Sequence, residues 1–116
     1  MSKPQDVVNF RRRIKTALVQ SFGECCQVCG KKYPESVFDF HHLNPSNKSF
    51  SLSASNTTHS KADCAKEAKK CVLVCANCHR LIEHENLDIS NISSNFDEDK
   101  YYEVLNSLAN KNKQIV

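Results

Sequence analysis

Two cysteine pairs, Cys26-x-x-Cys29 and Cys75-x-x-Cys78, have the spacing of a metal knuckle. Such a knuckle turns two thiolates toward one tetrahedral ion, and zinc favours four sulfur ligands. The chain holds seven cysteines, an odd number, and MSKPQDVVNFRRR contains no apolar leader. A secreted disulfide framework is therefore not expected. A structural Zn²⁺ shared by Cys26, Cys29, Cys75 and Cys78 is expected instead. Cys25 adjoins the first pair and could replace Cys26, although the CxxCG run favours Cys26. Cys64 and Cys71 occupy apolar-facing positions and read as buried thiols. The two pairs are separated by 45 residues, against about 15–20 in a simple zinc ribbon. The zinc therefore clamps the base of a larger unit.

That unit contains histidines. His41 and His42 are adjacent at the end of a short strand, so their side chains point to opposite faces. His79 directly follows Cys78. Bringing the cysteine pairs together places strand 37–42, strand 71–75 and helix 76–86 in one β-β-α unit, in which His41 or His42 can face His79. His59 lies in a polar loop and reads as solvated.

FDFHHLNPSNKSF followed by KKCVLVCANCHRLIEH resembles the HNH nuclease family, and more narrowly the small zinc-containing HNH endonucleases of phages and bacteria. The likeness covers residues 10–86. It implies a ββα-metal (HNH, or His-Me finger) core within an α+β chain, stapled by the Cys₄ zinc. It also implies one catalytic divalent ion, Mg²⁺ or Mn²⁺, and hydrolysis of DNA phosphodiester bonds. On this resemblance His41 is a metal ligand, His42 the general base and His79 a metal ligand. Two positions depart from the pattern. Lys70 stands where the family usually has its central Asn, so support for His42 must come from elsewhere. Glu83 stands where relatives often have a further His. On a helix Glu83 lies about 40° round from His79, whereas His84 lies about 140° away. Glu83 is thus the expected third ligand, with His84 its substitute if the helix is distorted. For both His41 and His42 to act, the strand must end at His41 and the chain must turn before His42. Arg80 is a candidate phosphate clamp. Arg11, Arg12, Arg13 and Lys15, on the polar face of the first helix, would track the nucleic-acid backbone. The alternative is a non-catalytic zinc-binding nucleic-acid or structural module, which needs the cysteines and the basic helix but not the three histidines.

The elements that must position these residues follow from pattern. Val7, Phe10, Ile14, Ala17, Leu18 and Phe22 form one stripe over residues 5–22, which predicts a helix ended by Gly23. Residues 37–42 alternate as a strand. Residues 46–60 read as loop, with a short extended piece at Phe50–Leu52. Residues 61–70 favour helix, with Ala62, Cys64, Ala65 and Ala68 on its less polar side. Residues 71–75 form a second strand, 76–86 a helix, and 97–110 a last helix with Tyr101, Val104, Leu105 and Leu108 as its stripe. The organisation is a basic helix (1–23), a nuclease-like core (24–86), and a connector with a C-terminal helix (87–116) that could dock a protein partner or make a homodimer.

Composition limits the alternatives. The chain has 116 residues, 40% hydrophobic and 25% charged, so a single globular domain is expected. Its two glycines leave no phosphate-binding Gly-rich loop. No apolar run is long enough to cross a membrane, which together with the resemblance implies a cytoplasmic protein of a bacterium or a phage-infected cell. The net charge of +3 is uneven: +5 over residues 1–33 and −3 over residues 85–116. The front segment therefore suits an anionic partner such as DNA.

Overall fold

The computed structural model describes the backbone of residues 4–52 and 59–114 and the side chains of residues 8–52 and 59–109. Among them it is an α+β chain with four helices and one antiparallel two-stranded sheet. The order is α1 (Pro4–Ser21), β1 (Phe38–His42), α2 (Lys61–Ala68), β2 (Cys71–Cys75), α3 (Ala76–His84) and α4 (Glu98–Gln114). Short 3₁₀ turns at Glu35–Val37 and Pro45–Asn47 flank β1. No described helix is long and apolar enough to cross a membrane.

β1 pairs with β2 in a register that sets Phe38 opposite Cys75, Phe40 opposite Leu73 and His42 opposite Cys71. Phe38, Phe40 and His42 are buried while Asp39 and His41 are half-exposed, so β1 divides its residues between two faces as alternation requires. β2 is buried throughout, because elements cover both of its faces. α3 packs against both strands, and α1 lies along α4.

Most residues of the expected stripes enter the core; Phe10 and Leu108 are partly buried against it, and Val7 lies outside the residues whose side chains are described. Ile14, Ala17, Leu18 and Phe22 of the first segment and Tyr101, Val104 and Leu105 of α4 join Phe38, Phe40 and β2 in one hydrophobic cluster. Full burial of a side chain of Leu or Phe size contributes roughly 1.5–3 kcal/mol relative to exposure. The Tyr101 hydroxyl donates to the Lys61 carbonyl at 2.8 Å, which ties α4 to the start of α2. Gly23, at φ +88°, ends α1 in the left-handed region that glycine adopts without strain.

Four local expectations differ from the structure. Phe50–Leu52 forms no strand; Phe50 instead stacks on His59, ring centroids 3.6 Å apart, so His59 is half-buried rather than solvated. Ala62 is exposed, and the buried face of α2 carries Glu67 beside Cys64, Ala65 and Ala68. β1 runs through His42, which pairs with Cys71, so the chain does not turn before it. The ladder continues because Cys71 and Lys70 extend it: the Leu43 amide still donates to the Lys70 carbonyl at 3.0 Å.

Candidate metal centres and active site

The first knuckle closes as the CxxCG pattern requires. The Cys29 amide points at Cys26 Sγ at 3.4 Å, and the Gly30 amide donates to the Cys26 carbonyl at 2.8 Å with Gly30 at φ +76°. The second knuckle is a helix start. Cys75 ends β2 and caps α3, its Sγ accepting from the Cys78 amide at 3.5 Å. Sulfurs of Cys26, Cys29, Cys75 and Cys78 all lie within 4.8 Å of one another, and those of Cys29 and Cys75 are 3.9 Å apart. Tetrahedral zinc, with Zn–S near 2.3 Å, holds its sulfurs roughly 3.8 Å apart. The donor set also fits electrostatically. Burial pushes the Cys26 thiol up, but amide donors from Cys29, Cys75 and Val28 outweigh it and bring it to about 7. Burial and the three surrounding thiols push Cys78 up. Four thiolates cannot crowd this space uncompensated, and a divalent cation removes the conflict. The cluster could therefore hold a metal ion such as zinc. Cys25 stays outside it. Cys64 and Cys71 are buried, and burial raises them to about 11 and about 12, so they remain thiols.

A second group forms on the other side of the sheet. His41 leaves β1 on the same face as Asp39, and α3 brings His79 over that face, with ring centroids of the two histidines 5.4 Å apart. His41, not His42, is thus the histidine that meets His79. One turn later Glu83 Oε1 lies 2.8 Å from His79 Nε2, and ligand atoms of His41, His79 and Glu83 fall within 4.8 Å of one another. His84, at the exposed end of α3, is not part of this group. Asp39 Oδ2 is 3.0 Å from His79 Nδ1, a contact that orients the ring and leaves Nε2 for the cluster. Burial, reinforced by the neighbouring His79, pushes His41 below the usual histidine value against the pull of Glu83. The neutral imidazole that results is the form that binds metals. The three residues open onto a cleft of about 350 Å³, also lined by Asp39, His42, Lys48 and Ser51.

His42 lies on the buried side of β1 yet still reaches the cleft wall. Its Nε2 is 2.7 Å from Glu67 Oε2. Glu67, only 2% exposed, also accepts from the Ser49 amide at 2.9 Å and from Lys70 Nζ at 3.0 Å. Burial alone would push its carboxyl up; the amides of Ser49 and Phe50, with Lys70 and His42, reverse that and hold it at about 2. Lys70 continues to the Asn47 carbonyl at 2.8 Å and Ser49 Oγ at 3.2 Å, so it pins the loop after β1.

Comparison with family models, with curated proteins and with solved structures yields no match to this chain.

The basic residues divide. Arg12 and Arg80 are exposed and Arg11 and Arg13 half-buried. Lys15, expected on the solvent face, instead donates to the Phe38 carbonyl at 2.9 Å and lies 5.6 Å from the Phe40 ring centre. Partial burial lowers its pKa, and its charge serves to hold α1 to β1. Sequence reading missed two acids. Asp39 carried a signal, since it lies two residues before His41 and shares its face. Glu67 carried a weaker one, an acid set among Cys64, Ala65 and Ala68 on the apolar side of a helix.

Proposed function

We propose that the chain is an HNH-type endonuclease with a ββα-metal core, hydrolysing DNA phosphodiester bonds. One observation carries the reading: His41, His79 and Glu83 converge in an open cleft that His42 also lines. The order β1, β2, α3, with α3 starting directly at a metal knuckle, supports it. A binding or structural module would need the four thiols but not a second donor group open to solvent.

The residues fit a divalent cation. His41 and His79 would offer imidazole nitrogens and Glu83 a hard oxygen, a mixed set that accepts Mg²⁺ or Mn²⁺ and leaves room for water and substrate. Such an ion, when bound, supplies stabilisation of negative charge on phosphoryl oxygens. The remaining work belongs to side chains. His42 takes the proton from the attacking water as general base. Asp39 keeps His79 oriented. Lys48 lines the cleft and attracts phosphate there, whereas Arg80, the exposed residue after His79, is not among the cleft-lining residues. The thiol cluster, as a zinc site, fixes the start of α3 and hence the placement of His79 and Glu83.

The test is cleavage of supercoiled plasmid by the purified protein with Mg²⁺ or Mn²⁺. The wild type cleaves. His42→Ala loses about 10²–10⁴-fold in rate, the usual loss for a general base, and added metal does not restore it. His41→Ala and His79→Ala are partly restored as Mn²⁺ is raised. A wild type inert with every divalent ion tried overturns the reading and leaves a zinc-stapled binding module.

A further inference from the structure

Glu67 is a carboxylate almost wholly removed from solvent, on the helix between the two strands in the chain, and its side-chain hydrogen-bond partners among the described residues belong to neither donor group. Its contacts come from three places: His42 at the end of β1, the Ser49 amide in the loop that follows, and Lys70 just beyond α2. An ionised carboxylate can only accept hydrogen bonds. Glu67 Oε2 already accepts from the Ser49 amide, so the 2.7 Å contact with His42 requires a proton on the histidine's Nε2. On a neutral ring that proton is the single N–H, which puts the lone pair on Nδ1. Nδ1 of His42 has no hydrogen-bond partner among the described residues, and His42 lines the cleft.

We infer that Glu67 is a positioning residue: it holds His42 as the Nε2–H tautomer, with the basic Nδ1 turned to the cleft. The inference rests on the nuclease reading of that cleft. Lys70 and the Ser49 amide hold the carboxylate still, so the orientation of the base is set by the loop and α2 as well as by β1. This supplies the support for His42 that the Lys70 position itself does not give. Glu67→Gln distinguishes the role from a plain buried ion pair. Its amide can turn NH₂ toward His42, which permits the opposite tautomer with little change in volume.

Two measurements decide it. Long-range ¹H–¹⁵N spectra of the wild-type imidazoles should show His42 as Nε2–H, and this needs no variant to fold. Plasmid cleavage should then fall at least about tenfold in kcat for Glu67→Gln, and by no more than the ~10²–10⁴-fold assigned to loss of His42 itself, with KM within about twofold of wild type. In a His42→Ala background the same substitution should change nothing further, because it acts only through that ring. An Nδ1–H tautomer in the wild type overturns the inference. So does a Glu67→Gln loss that is equal in both backgrounds, or a Glu67→Gln variant as fast as a cleaving wild type. A wild type that does not cleave overturns the nuclease reading instead.

Discussion

At the scale of single residues, a buried charge is tolerated only where donors surround it. Glu67 has such a set, and the arrangement makes stability depend on pH. Its folded value of about 2 lies below the usual glutamate value near ~4.3. A group depressed in the folded state stabilises the fold above its unfolded value, and that contribution is lost as pH falls through the folded value. Denaturant midpoints of the wild type should therefore drop as pH goes from about 4.3 toward 2. Glu67→Gln should be less stable at neutral pH but flatter across that window. Equal slopes for the two proteins would show that the carboxylate is not held ionised by its neighbours. The network was only half legible in the sequence. His42 and the need for a supporting partner could be read there. The partner itself could not, because three of the groups that make a buried Glu67 affordable come from a loop and a strand end distant in the chain.

At the scale of elements, α3 is the part whose placement matters most. Its first residue follows a strand without any loop, and its cap is Cys75 Sγ rather than a hydroxyl or carboxylate. The same helix then presents Cys78, His79 and Glu83 within two turns. Cys26→Ser or Cys75→Ser should therefore yield poorly folded protein, since a structural zinc site contributes folding energy directly. Metal analysis of the folded wild type should find one tightly held zinc per chain that survives mild EDTA. Folded protein free of tight zinc would remove the staple. These elements were legible because the cysteine spacing and the β-branched CVLVC run are local signals. The straight run of β1 through His42 was not, since it depends on hydrogen bonds to residues 70 and 71 that no local pattern of residues 37–42 reveals. His59 was misread for the same reason: its ring is covered by Phe50, across a loop.

At the scale of the whole molecule, the formal charge of +3 falls to +1 once four thiolates and one zinc ion are counted. Overall attraction to a polyanion is then slight, and on the proposed nuclease reading DNA binding would rest on local patches. Arg12→Glu with Arg13→Glu should weaken binding to all DNA sequences alike and flatten its dependence on salt, because each lost phosphate contact lowers the slope by about one. An unchanged slope would place nucleic acid away from α1. Lys15 is omitted from that test because its ammonium is held against β1. The small sheet carries a different consequence. Leu73, the middle residue of β2, accepts from the Gln27 amide at 2.8 Å and donates to Gln27 Oε1 at 3.1 Å, and Gln27 Nε2 reaches the Ser93 carbonyl at 2.9 Å. Gln27 lies inside the first cysteine knuckle, so the knuckle acts as a one-residue third strand along the outer edge of β2. On the opposite strand, the Phe38 carbonyl is taken by Lys15. Two sites where a foreign strand would begin to pair are thus filled by the chain itself, through the Gln27 amide and side chain and the Lys15 ammonium. Clumping of this protein on storage would then report loss of the knuckle, not adhesion of intact molecules.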